Sequence, residues 1–180
     1  MTPSGRLPRL TSMRNKFRLF IGRSAVVFIL FFVAGSNVAF ACSCAYKGDF
    51  LDYAHVSAGV IHARVVSFGD RLDHGETLYE SMVVEVVSVV TGKLKIDSVV
   101  LMGDPGLLCL EYVDSRNFQI GNEYLIALHS DEAVQPFGGC GEAWMAVDGD
   151  LATGHSFSDG GYRQYSLPLA EAIEKLTAVF

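Results

Sequence analysis

The sequence is poor in the features by which enzymes and nucleic-acid binders announce themselves. It holds four cysteines, one tryptophan and five prolines in 180 residues. There is no Gly-x-Ser-x-Gly elbow, no phosphate-binding glycine loop and no His-Glu-x-x-His. The five histidines (His55, His62, His74, His129, His155) are dispersed and form no catalytic pattern. His62 on a strand and His129 at a strand end read as structural, His74 in Asp73-His74-Gly75-Glu76 as a solvated turn, and Trp144 as core or rim. These absences disfavour an enzyme. Positive charge is also scarce where it would matter. Six of the 14 basic residues and none of the 20 acidic ones precede Cys42, so the chain from Cys42 onward carries a formal charge of −12. A surface that acidic repels phosphate backbones, which argues against nucleic acid as a partner. Internal repeats and low-complexity linkers are missing too.

The longest apolar run, residues 25–34, is shorter than the about 20 residues of a membrane span. Arg14, Lys16, Arg18 and Arg23 precede it, and Gly35-Ser36-Asn37 breaks it. Ala39-Phe40-Ala41 follows, a small-x-small site of the kind signal peptidase cuts after. This order predicts a signal peptide over residues 1–41, with Met13 as an alternative start, and one domain over residues 42–180. The alternative of an uncleaved N-terminal anchor has the wrong length and flanks. Lipidation at Cys42 fits poorly with Phe40 at the position where a small residue is wanted. The expected destination is outside the cytoplasm: secreted, periplasmic or at the cell surface. No stable membrane span is expected after cleavage. Cleavage makes Cys42 the first mature residue, with Cys44 two residues on and Cys109 and Cys140 far downstream. An even count in an exported chain reads as disulfides.

Patterning predicts a mainly β domain. A short helix is expected over residues 49–55, then strands over 60–68 and 77–90, separated by a polar turn over 69–76. The second strand is long enough that a bend or bulge is expected. Further strands are expected over 98–102, 123–129 and 142–147, with a loop over 130–139 and turns at 148–150 and 158–161. Leu169, Ile173, Leu176 and Phe180 recur near helical spacing after Pro168, with Glu171 and Lys175 at i,i+4, so residues 168–179 read as a packed amphipathic helix. Five or six strands and a terminal helix suggest a small β-barrel, although periodicity alone does not separate barrel from sandwich.

Several of these stretches resemble one family. Cys42-Ser43-Cys44 at a mature N-terminus, with Cys109 and Cys140 downstream, resembles the N-terminal domain of the tissue inhibitors of metalloproteinases. Val60-Ile61-His62-Ala63-Arg64-Val65-Val66 is similar to that family's first strand, Tyr79-Glu80 to the opening of a long strand, and Glu123-Tyr124-Leu125-Ile126-Ala127 to the strand after the third cysteine. The resemblance covers residues 42–147. It implies a netrin-like module with an oligonucleotide/oligosaccharide-binding (OB) type barrel. It also implies disulfides Cys42–Cys109 and Cys44–Cys140. Sequence alone allows three pairings, and joining Cys42 to Cys44 closes a ring that bond geometry disfavours. The chain departs from the family in lacking its further disulfide and cysteine-rich second domain, and in having Ala45-Tyr46-Lys47-Gly48 where a proline-containing stretch stands.

The mechanism the resemblance implies is inhibition of a zinc metalloendopeptidase. The free amine and carbonyl oxygen of Cys42 would chelate the protease's catalytic zinc in place of its water. Ser43 would enter the first specificity pocket beside Cys44, and Gly106, Leu107 and Leu108 would form a second contact. The protein itself would need no cofactor and hold no metal. The competing reading is a non-inhibitory exported binding or structural module that the disulfides merely staple. A four-thiolate zinc site is disfavoured by the oxidising destination, and a thiol oxidoreductase by the absence of Cys-x-x-Cys.

Overall fold

A β-hairpin of two 16-residue strands organises the rest of the chain: β1 (Gly59–His74) lies antiparallel to β2 (Thr77–Gly92). The structure, a computed structural model, describes residues 48–74, 77–104, 110–139, 141–158 and 161–178, of which the side chains of 70–74, 77–78 and 157–158 are left aside. The β1–β2 register shifts at four places, between Val60/Ile61, His62/Ala63, Val65/Ser67 and Gly69/Leu72. Each shift bends the ribbon and increases its twist. The expected polar turn over 69–76 is therefore mostly strand, because its backbone groups are taken up in the ladder out to His74 and Thr77. Ile61, Ala63 and Val65 of β1 and Met82 and Val84 of β2 are buried in the core, while Arg64, Glu85, Val87 and Val89 stay exposed.

Six more strands complete one sheet: β3 (Ser98–Met102), β4 (Glu123–Leu128), β5 (Val134–Pro136), β6 (Trp144–Asp148), β7 (Leu151–Ser158) and β8 (Gly161–Pro168). Their order is β5-β3-β2-β1-β4-β6-β7-β8, with β3 and β5 the parallel pair. The sheet is mainly antiparallel, has eight strands rather than five or six, and is not closed into a barrel by backbone hydrogen bonds. It nevertheless curls. In a flat sheet, β5 and β4 would stand about 19 Å apart, four strand spacings. Instead the side-chain oxygen of Gln135 in β5 accepts hydrogen bonds from the backbone N–H groups of His129 (2.9 Å) and Ser130 (3.2 Å), directly after β4. Its amide donates to the carbonyls of Ser130 (3.3 Å) and Glu132 (3.0 Å). Residues 130–139, expected as loop, thus contain a strand anchored by a buried glutamine.

Two helices flank the sheet. Helix α1 (Phe50–Ala54) is closed at its start by Asp49, which accepts from Asp52 N at 3.1 Å, while the Asp52 carboxylate accepts from Asp49 N at 3.3 Å. This reciprocal cap supports a helix otherwise too short to persist. It buries Phe50, Tyr53 and Ala54. Helix α2 (Leu169–Thr177) buries Ala172 and Leu176 and sets Glu171 against Lys175 at 2.8 Å. Pro168 is its N-cap rather than a residue of its first turn, and Leu169 N donates to Asp150 O at 2.8 Å. The core runs from Phe50 through Ile61, Met82, Leu101, Phe118, Leu125, Ile126, Phe137 and Met145 to Leu176. No helix among the described residues is long and apolar enough to cross a membrane.

Candidate functional site

All the residues that sequence assigns to the inhibitory site lie outside the described residues: Cys42, Ser43 and Cys44 at the tip, Gly106, Leu107 and Leu108 in the second contact, and Cys109 and Cys140. Their chain neighbours are described, and these converge. Leu110 forms an antiparallel bridge with Gly138, and Glu111 N donates to Phe137 O at 3.2 Å. The stretch following Cys109 is thereby hydrogen-bonded to the stretch preceding Cys140. Asp104 N donates to Glu111 O at 2.9 Å, so the described residues on either side of 105–109 are pinned to each other.

Helix α1, which follows the N-terminal tip in sequence, meets the same place. The Tyr53 hydroxyl lies 2.8 Å from His129 Nε2. A Cβ on Gly138 would fall 2.6 Å from that hydroxyl and 3.2 Å from His129 Nε2, a closeness only glycine allows. At its other end α1 is held by β8, where Tyr165 Oη accepts from Phe50 N at 3.3 Å. The end of α1 that continues to Asp49 and Gly48 is thus held at β8. His62 is engaged elsewhere, with Nε2 at 2.9 Å from a Glu123 carboxylate oxygen that joins β1 to β4, and Arg64 shares that carboxylate.

A second group of side chains surrounds the stretches after Cys109 and Cys140. Glu111 accepts from Trp144 Nε1 at 3.1 Å and from the backbone N–H groups of Tyr112 and Gly141. Glu142 is 8 % exposed, and its Oε2 has no hydrogen-bond partner among the described residues. Burial pushes both carboxyls above the ordinary glutamate range, and for Glu111 the charge of Glu142 adds to the rise. His155 stacks on Tyr162 at 4.5 Å between centroids and meets Trp144 edge-on at 5.8 Å; its buried Nδ1 is also unpartnered among the described residues. Burial holds that imidazole below its usual range and, with Glu111 and Glu142 nearby, pushes Tyr162 up to about 12. Gly141 sits at φ +82°, and a Cβ there would lie 3.4 Å from Tyr162 Oη and 3.6 Å from His155 Nδ1. Among the described residues, no group of three or more His, Cys, Asp or Glu is arranged to hold a metal ion.

Sequence reasoning missed this cluster. One signal was present: Cys109-Leu110-Glu111 and Cys140-Gly141-Glu142 place a glutamate at the same offset after each cysteine. The chain matches no protein-family model, and no curated protein or solved structure is similar to it.

Proposed function

We propose that this chain is an exported inhibitor of zinc metalloendopeptidases acting through its mature N-terminus. The observation that carries the reading is the convergence at Gly138. Leu110, next to Cys109, bridges Gly138, two residues before Cys140, and Tyr53, eleven residues after Cys42, lies against the same glycine. Six residues separate Cys42 from Gly48, and an extended chain of that length reaches up to about 20 Å. Disulfides Cys42–Cys109 and Cys44–Cys140 fit that arrangement and would fix the tip before it meets a protease, so little ordering entropy is lost on docking.

The strand order supports the finer fold assignment. The segment β5-β3-β2-β1-β4, antiparallel except for β3 with β5 and curled until β5 meets the end of β4, has the character of a partly open five-stranded OB-type barrel, as in a netrin-like module. In this reading β6, β7 and β8 extend it as a further sheet.

The chemistry resides in Cys42. Its α-amine has a reference pKa of about 7.7–8, so a usable fraction is neutral near pH 7 and can donate its lone pair to zinc. The carbonyl of the same residue completes a five-membered chelate, and Ser43 follows into the adjoining pocket. The zinc belongs to the target protease. Intact mass and non-reducing peptide mapping of exported protein, followed by assay against several zinc endopeptidases, test the proposal. The expected result is a chain starting at an unmodified Cys42, the two named disulfides and measurable inhibition. Retention of Phe40-Ala41, diacylation of Cys42 or a Cys42–Cys140 bond contradicts it. A correctly processed protein that inhibits none of the enzymes supports the binding-module alternative.

A further inference from the structure

The cluster beyond the cysteines, with Glu142 and Trp144 buried and Glu111 and His155 half-buried, has no role in that reading, and its chemistry is unusual. Carboxylates removed from water are ordinarily paired with a cation or a metal. Glu111 and Glu142 have neither among the described residues. Glu111 is held by three neutral donors, and Glu142 Oε2 by none. The groups facing them come from separate elements: Trp144 on β6, His155 on β7 and Tyr162 on β8. None carries a fixed positive charge. The nearest guanidinium in sequence, Arg116, is paired with Asp114. The unpartnered Nδ1 of His155 and Oε2 of Glu142 leave two buried atoms able to accept hydrogen bonds.

We propose that Glu111 and Glu142 form a proton-binding site that strengthens the junction between residues 110–113 and 141–144 when the surroundings become acidic. The ligand is the proton itself. Bound to a carboxylate, it replaces a buried charge by a neutral group with a donor, in a place that offers acceptors and no cation. The direction of the burial effect agrees. A carboxyl raised above 4.5 in the folded state contributes stability that is complete below that value and is lost as pH rises through the folded pKa. His155 acts in the opposite sense. Lowered from 6.5, it contributes stability above that value that is lost on acidification. The carboxyl contribution must therefore be isolated by difference. The inference stands apart from the inhibitor reading, since it concerns stability and proton uptake and needs no protease.

The test compares thermal unfolding of the mature wild type and Glu142→Gln at about pH 5 and about pH 8. Glutamine keeps the shape of the protonated acid and cannot ionise. The melting temperature of the variant relative to wild type should rise by at least about 2 °C between the lower and the higher pH. A difference that does not change with pH overturns the proposal. Carbon-13 titration of the glutamate carboxyls in the wild type needs no variant. Resonances of Glu111 and Glu142 titrating above 4.5 support the site, and both titrating at or below it refute the site.

Discussion

Ser43 is the side chain on which specificity turns if the tip enters a protease cleft. A pocket filled by one side chain responds to its volume and desolvation, often by about 10- to 200-fold. Ser43→Gly empties the pocket, and Ser43→Arg forces a charge into it. Both should change the inhibition constant against at least one enzyme within that range while the melting temperature stays nearly constant. Equal inhibition by all three proteins would exclude insertion of this residue. At the same scale, Glu111 and Glu142 illustrate what a sequence withholds. Their spacing after the cysteines is legible. Their burial is not, because it depends on Trp144, His155 and Tyr162 arriving from three different strands. The places of two histidines were more legible: His62 Nε2 on β1 lies 2.9 Å from a Glu123 carboxylate oxygen on β4, and His129, just after β4, is hydrogen-bonded to Tyr53.

Among the elements, those with strong local signals were readable. Helix α1 lies within the short helix expected over residues 49–55, and the spacing of Leu169, Ile173 and Leu176 announces α2. Strands β7 and β8 were not, because only their bounding turns carry a local signal. Ala152 and Gly154 are the small inward residues of β7, whereas Arg163, Gln164 and Ser166 of the edge strand β8 are exposed. Such a pair forms by laddering on β6 rather than by burying an apolar stripe. Strand β5 was hidden for a related reason: its three residues include Pro136, and its anchor is a glutamine. The seam between α1 and residues 137–139 yields a prediction. Gly138→Ala places a methyl 2.6 Å from the Tyr53 hydroxyl, which must then move off His129. Destabilisation of about 1–3 kcal/mol is expected in urea unfolding at unchanged slope. A variant as stable as wild type would mean that α1 is not held at this seam.

For the whole molecule, the mainly β class was legible from alternation, while the single eight-stranded sheet was not, since strand order depends on contacts between distant residues. The account joins two parts that sequence treats separately: an N-terminal tip and the domain that holds it. Among the described residues, α1, Leu110 and Gly138 converge on one junction. If the tip binds proteases as proposed, the formal charge of −12 from Cys42 onward should favour basic ones, most strongly at low salt.

The central claim is that inhibition depends on the free α-amine of Cys42. Mature protein starting at Cys42 and a version carrying one additional N-terminal alanine should be compared against the same zinc endopeptidase. The extra residue converts the amine to an amide, which cannot chelate, while the rest of the domain is unchanged. The account predicts inhibition by the mature protein and weakening by at least about tenfold in the extended one, a loss of about 1.4 kcal/mol or more. Equal inhibition by both would contradict it.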